Sequence, residues 1–272
     1  MIIVVDGVNA DQFTGLLSQV FELRARVFKD RLGWDVDVVD GQEKDHFDEL
    51  HPTHIVSVTD EGRVAGCMRL LQTTGPNMLA DVFSSILQGE PAPRSPLIWE
   101  ATRFCVDTNM LDSGKTRNSI SYVTSEVMVG AFEYARTAGV EDAVAVIDPI
   151  MNRVLKRSCN APYDYLGEAT PMGKVTAMAA LMDCSETRIN AVRDFANIQG
   201  DVFLDEDEAI QRFGDANSKA SNPNAVRALQ DYVHEQLQVA SNTSELRAAL
   251  HLLAELENDT NLTLTEGAAT HS

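Results

Sequence analysis

Between Arg31 and His51 the chain reads RLGWDVDVVDGQEKDHFDELH, with seven carboxylates, one Trp and no helical period among its apolar residues. A solvated acidic loop is the plain reading of such a stretch. The sharper reading is half of a site for a small cationic substrate, since Trp34, Asp45 and Asp48 fall within fifteen residues. Other charges stand in apolar company. Arg24 follows Leu23 near an apolar stripe, Arg69 lies inside VAGCMRLLQ, and Glu100 and Arg103 lie inside LIWEATRFCV. A charge in such a strand either faces solvent or is buried and paired. Strand alternation puts Ile98, Glu100 and Thr102 on one face and Trp99, Ala101 and Arg103 on the other. Glu100 and Arg103 therefore share a site only if a bulge re-aims one of them.

Periodicity supplies the elements that must carry these residues. From Asp11 to Leu32, the residues Phe13, Leu16, Leu17, Val20, Leu23, Val27 and Phe28 recur at three- and four-residue steps. That spacing predicts one amphipathic helix, with Asp11 as its cap and Gly33 closing it. THIVSVTDEGRVAGCMRLLQ predicts a hairpin about a D-E-G turn, NMLADVFSSIL a short helix, and LIWEATRFCVD a strand. ISYVTSEVMVGAFEYARTAG predicts a helix closed by Gly139, AVAVID a buried strand, PIMNRVLKRS a helix with Pro149 in its first turn, and KVTAMAALMDC a further strand. This order implies an α/β fold, with one mixed sheet and helices on its faces.

The chain has 272 residues, 44% of them hydrophobic, and a formal net charge of -19. The acidity argues against nucleic acid and against an anionic membrane surface, since both need a basic face. No apolar run approaches the roughly 18 residues that span a bilayer, and the start, MIIVVDGVNADQF, lacks a basic signal-peptide region. Cys67, Cys105, Cys159 and Cys184 are scattered, which suits reduced, buried thiols in a cytoplasmic protein. Residues 201–272 hold 13 Asp and Glu against 4 Lys and Arg, and with LDEDE and DANSKASNPN this places a domain boundary near residue 200. Beyond it, helical patterns over roughly 224–239 and 243–257 suggest an acidic helical extension spanning 201–258. Its apolar stripe is suited to homo-oligomer formation, and 259–272 reads as disordered.

The motifs LRARVFKDRLGWDV, GQEKDHFD, GCMRLLQTTGPNML and WEATRFCV, in this order and spacing, resemble the N-acyl-homoserine lactone synthases of LuxI type. The resemblance runs from about residue 15 to 190. It implies a three-layer fold like that of the GNAT acetyltransferases, with a mixed central sheet split into a V. It also implies a reaction between S-adenosylmethionine and an acyl thioester. The family's functional positions fall on Arg24, Phe28, Trp34, Asp45, Asp48, Arg69, Glu100 and Arg103. Gln72 stands where the family usually has Pro, and Thr102 where it often has Ser, which keeps a hydroxyl.

What the resemblance implies can be assigned residue by residue. Glu100 is the expected general base, with Arg103 and Asp45 beside it in catalysis. Arg24, Phe28, Trp34, Asp45, Asp48, Arg69, Thr102 and Arg103 are the expected contacts of S-adenosylmethionine, with Arg24 or Arg103 pairing its carboxylate. Met128, Val146, Ile147, Met151 and Leu155 are expected in the acyl pocket, and an apolar residue near Ile147 leans toward unsubstituted chains. Arg153, Lys156, Arg157 and Lys174 are the expected docking face for acyl carrier protein, with acyl-CoA as the alternative donor. No metal or resident cofactor is expected: S-adenosylmethionine is a substrate, and phosphopantetheine arrives on the donor. His46, His51 and His54 are expected on the surface or in loops. A GNAT N-acetyltransferase is disfavoured because its pyrophosphate loop is missing; RTAGVE at 136–141 ends in Glu and follows the wrong element. A non-catalytic relative is disfavoured by the intact Glu100, Arg103, Asp45 and Asp48.

Overall fold

Period-two alternation in short apolar runs decides which side of the sheet each residue serves. The computed structural model describes residues 1–108, 117–172, 175–215 and, farther on, 233–234, 236–238, 240, 242–243, 245–247, 249–251 and 253–254. Its elements are β1 (Ile2–Val5), α1 (Thr14–Arg24), β2 (Val38–Val39), β3 (Gln42–Glu43), β4 (Thr53–Val58), β5 (Val64–Gln72), α2 (Met78–Asp81), β6 (Ile98–Val106), α3 (Arg117–Thr137), β7 (Asp142–Ile147), α4 (Pro149–Arg157), β8 (Asp164–Met172), β9 (Val175–Asp183), α5 (Glu186–Ala196) and α6 (Glu206–Phe213).

The main sheet has the order β1-β4-β5-β6-β7-β9-β8. Its neighbours are antiparallel except β6 and β7, which run parallel and pair only at Ile98↔Asp142, Trp99↔Ala143 and Glu100↔Val144. Both strands continue past those pairs, so the sheet splays into a V with Glu100 at the apex. Ile2, Ile55, Met68, Leu70, Trp99, Ala143, Ala145 and Ile147 face α3, α4 and α5. Ile3, Val5, Val56, Val58 and Cys67 face α1, while Val144, Ala177 and Ala179 pack with Leu79, Ile86 and Leu87 on that same side. Helices on both faces make the three-layer mixed α/β sandwich.

The structure departs from the sequence expectations in several places. The N-terminal helix is not continuous. A turn at Ala10–Gln12 precedes α1, and Ala25–Arg31 wind as a π-helix. Asp11 does not cap α1: the Asp215 carboxylate does, its Oδ2 accepting from the Thr14 backbone N–H at 2.7 Å. β1 and β8 were not among the expected strands. The boundary near residue 200 falls inside the packed body. Val202 O accepts from the Ile2 N–H at 2.7 Å, the Leu204 N–H donates to Ile2 O at 2.8 Å, and Leu204 and Ala209 join the core against α1. Residues 201–215 therefore belong to the packed body, and the described residues from 233 to 254 are mostly helical, with Val233, Gln236 and Ala249 buried. The segment 259–272 lies outside the described residues. Cys67, Cys105 and Cys184 are buried, but Cys159 is exposed. No helix among the described residues is long and apolar enough to cross a membrane.

Candidate active site

The π-helical turn sets up one wall. Its wider winding lets the Leu32 N–H bond back to Val27 O, while the Trp34 N–H bonds to Phe28 O at 2.8 Å. Gly33 turns the chain at φ +63°, a left-handed conformation suited to glycine. Trp34 thereby stacks on Phe28, with ring centroids 5.0 Å apart and planes at 21°. One face of the half-buried indole is covered, and the Arg103 guanidinium lies over the Phe28 ring at 5.5 Å.

The acidic stretch is not a loose loop. β2 and β3 form a hairpin about Asp40 and Gly41, both at positive φ (52° and 80°), as an Asp-Gly turn requires. The hairpin delivers Glu43 inward. Asp45 then caps the short helix His46–Leu50, and Asp48 Oδ2 accepts from the Asp45 N–H in a reciprocal capping box. The local chemistry of this turn fixes both aspartates before any charge meets them.

Three arginines converge on these three carboxylates. Arg24 donates from Nε to Glu43 at 2.5 Å and from Nη1 and Nη2 to Asp48 at 2.7 and 2.8 Å. Arg69 donates to Asp45 at 2.5 and 3.0 Å, to Asp48 at 2.8 Å and to Thr102 Oγ1 at 3.1 Å. Arg103 donates to Asp45 at 2.6 Å and to Glu43 at 3.1 Å. Burial works against the Arg24 charge, but its hydrogen bonds to Asp48 and the charges of Asp48 and Glu43 outweigh that and push its pKa up. Burial would raise Asp48 too, yet Arg24 and then Arg69 hold its carboxyl well below the usual range.

A bulge resolves the alternation problem on β6. The β5–β6 register shifts between Cys67 and Arg69, and Arg103 takes φ +50°. Arg103 consequently stays on the face of Glu100 and Thr102, while Phe104 turns to the α3 side. Glu100 is fully buried, and its two oxygens accept from the Met78 N–H at 2.6 Å and the Leu79 N–H at 2.8 Å. Burial pushes its pKa up to about 7, against the lowering effect of those two donors. Arg69 and Arg103 both approach Met78 Sδ at 3.4 Å, so Met78 packs across the group.

The site contacts expected from the sequence are gathered here, but not all are open to a ligand. Arg24 and Asp48 have side chains 1% and 5% exposed and brace Arg69 and the turn, and Arg69 and Glu100 are buried as well. The open edge is Asp45 (18%), Arg103 (11%) and Trp34. Glu43 was missed, although DGQE carries both the turn signal and the residue behind it. His54 was misplaced. It is buried on β4, edge-on to Phe21, and burial, with the charges of Arg24 and Arg69, lowers its pKa to about 3 against the pull of Asp48. His46 and His51 are exposed.

The five expected acyl-pocket residues split across the sheet. Met128, Ile147, Met151 and Leu155 lie together on the α3 side, whereas alternation sends Val146 to the other face. Arg153, Lys156 and Arg157 are exposed on α4, and Lys174 lies outside the described residues.

The family model described as autoinducer synthase matches residues 10–192. The acyl-homoserine-lactone synthase of Agrobacterium fabrum is 36% identical over 183 residues, covering 67% of this chain and 85% of its own. A probable acyl-homoserine-lactone synthase of Sinorhizobium fredii is 41% identical over 167 residues, covering 61% of this chain and 79% of its own. The solved structure of the AHL synthase LasI is similar with a TM-score of 0.61 at 31% identity, over 71% of this chain and 95% of that one. The CoA-dependent acyl-homoserine lactone synthase BjaI, solved with SAM and isopentyl-CoA, shares the fold with a TM-score of 0.64 at 24% identity, over 74% of this chain and 90% of that one. Motifs, fold and similarity agree: the chain belongs to the autoinducer synthase family, the acyl-homoserine-lactone synthases.

Proposed function

We propose that this synthase binds S-adenosylmethionine at the edge formed by Trp34, Asp45 and Arg103, and takes its acyl group from an acyl carrier protein. The observation that carries the substrate assignment is the closed set of three arginines and three carboxylates with one open edge beside the splay. S-adenosylmethionine brings a carboxylate and an ammonium. Its carboxylate can take Arg103 from Asp45, and its ammonium can take the Asp45 carboxylate released. One ion pair breaks and two form in that exchange, so no charge is left unpaired and the cost of desolvation is offset. The free face of Trp34 serves the sulfonium or the adenine.

The acyl chain lies on the α3 side, among Met128, Ile147, Met151 and Leu155, and the splay past Glu100 and Val144 joins the two faces. An α-amino group has a pKa of about 7.7–8.0, so a base near neutrality is matched to it. Glu100 fills that role, each of its oxygens keeping a second lone pair beyond the backbone bond it accepts. The neutral amine attacks the thioester carbonyl carbon, the C–S bond breaks, and the thiol leaves with a proton. The substrate carboxylate oxygen then attacks its own γ-carbon. The bond from that carbon to the sulfonium breaks, neutral methylthioadenosine departs, and the lactone closes. Positioning supplies most of the help for this intramolecular step. Neither step calls for a metal or a resident cofactor.

Arg153, Lys156 and Arg157 support the carrier protein as donor. They form a basic patch on α4 in a chain of net charge -19, next to the strand that bounds the splay. The test is methylthioadenosine release with acyl carrier protein and acyl-CoA donors, for wild type and a K156E/R157E variant, at low and high salt. A raised KM for the carrier protein alone, shrinking with salt, is expected. Equal efficiency with acyl-CoA and no effect of charge reversal would overturn the donor assignment. No methylthioadenosine with either donor would overturn the reaction.

A further inference from the structure

We propose that Asn160 and Asn152 are specificity-determining positioning residues, which hold the Met128 and Met178 thioethers and so fix the acyl-chain length the enzyme accepts. The inference rests on the acyl site being on the α3 face, as proposed above. Asn160 is 1% exposed, and its Nδ2 lies 3.6 Å from Met128 Sδ. Its Oδ1 accepts from Arg188 Nη1 at 2.9 Å, and Arg188 is itself held by Asp183 Oδ2 at 2.7 and 3.1 Å. A guanidinium only donates, so the amide oxygen must face it and the NH2 group must face the sulfur. The arrangement recurs between α4 and β9. Asn152 Nδ2 lies 3.4 Å from Met178 Sδ, while its Oδ1 accepts from the Tyr165 hydroxyl at 2.8 Å.

These two methionines pack in the same cluster as Ile147. Met178 is the β9 register partner of Ile147, and Met128 comes from α3 into the same cluster. An untethered methionine is unbranched and adapts to whatever occupies the space beside it. Tethered by an amide, it becomes a wall of fixed position. Each amide is locked from behind, by an ion pair in one case and a phenol in the other. A wall that adapts admits chains of several lengths, and a fixed wall rejects the longer ones.

The test uses the full chain with two straight-chain acyl donors in competition, the preferred one and one longer by two methylenes, and reads the product ratio by mass spectrometry. Met128→Leu removes the acceptor at nearly constant volume, Asn160→Leu and Asn152→Leu remove the donors, and Met128→Ala tests the pocket itself. A difference in methylenes is worth roughly 10-fold or more in a hydrophobic pocket, so the wild-type ratio should exceed that, and Asn160→Leu should cut it to about threefold or less. Met128→Leu should do the same, and the double variant no more than either, because both break one link. If Met128→Ala shifts the ratio while Met128→Leu and the two asparagine variants keep the wild-type value, the tether is wrong and the pocket stands. If Met128→Ala leaves the ratio unchanged as well, the acyl site itself is misplaced. A uniform loss of product at both lengths would mark the asparagines as structural only and overturn the proposal. Should Asn160→Leu not fold, Asn152→Leu and Met128→Leu give the same readout.

Discussion

Glu43 and Arg103, 60 residues apart in sequence, share an ion pair of 2.9 Å inside the site, and the same carboxylate holds Arg24 from its other side. Glu43→Gln would turn an amide NH2 toward one of two guanidinium groups and leave a buried positive charge short of a partner. Breaking one side of a buried pair typically costs about 3–5 kcal/mol. Denaturant melts should show a loss of that order, with methylthioadenosine release falling alongside. A midpoint equal to wild type would mean that Glu43 is dispensable to the network.

The role proposed for Glu100 ties catalysis to pH. Its folded pKa, about 7, lies above its ordinary value of 4.5, so the folded state favours the protonated acid. The stability this contributes is full below pH 4.5 and is lost as pH rises through about 7, at no more than about 1.4 kcal/mol per pH unit. Activity should run the other way and rise as the carboxylate ionises. Glu100→Gln should lower kcat by about 10²-fold or more and remove that rise. A variant with a wild-type pH profile would leave Glu100 only its hold on Met78 and Leu79.

His54 acts with the opposite sign. Its folded pKa, lowered to about 3, keeps it neutral, so its contribution is present above pH 6.5 and is lost as pH falls toward 3. Between pH 4.5 and 6.5 it opposes Glu100. His54→Leu should therefore reduce the acid loss of stability, and expose the fall with rising pH that Glu100 produces. Melts of both proteins across that range decide it, and parallel curves would refute the assignment.

Trp34→Ala should weaken S-adenosylmethionine by roughly 0.5–2 kcal/mol in calorimetry, with little change in the KM of the acyl donor. Unchanged affinity would confine Trp34 to its stack on Phe28.

Asp215→Ala removes the carboxylate that caps α1 and should destabilise the protein by about 0.5–2 kcal/mol. A chain ending after Asp215 should melt above one ending after Gly200, which also loses the strand bridge to Ile2. Identical melting points would return the boundary to residue 200.

Much of the sheet was legible in the sequence, because AVAVID, THIVSV and the β6 motif carry strand periodicity or unbroken apolar runs. β8 was not, since DYLGEATPM is polar and its register shifts between Leu166 and Thr170. Among the site residues, charges in apolar company pointed to Arg24, Arg69, Glu100 and Arg103, and alternation stated the need for a bulge. What periodicity could not reveal was which charges face each other. Arg24 pairs with Asp48 and Glu43 in three dimensions, and Glu43 is hidden among six other carboxylates in its stretch. The cap from Asp215 to Thr14 spans 201 residues, beyond the reach of any local pattern.

Among the described residues, three pairs stitch the four-strand antiparallel half of the sheet to its three-strand half. So short a seam would let the cleft work as a hinge. Each half keeps its own antiparallel ladder, so a small rotation about Ile98–Glu100 would widen the gap without breaking either ladder, resisted only by the core that α3 packs across both halves. In hydrogen exchange the two halves should open as separate units, with the stitched amides between them reporting the rotation. In the proposed acyl site a long chain would then meet two controls, the tethered sulfurs at its far end and the angle of the seam where it enters.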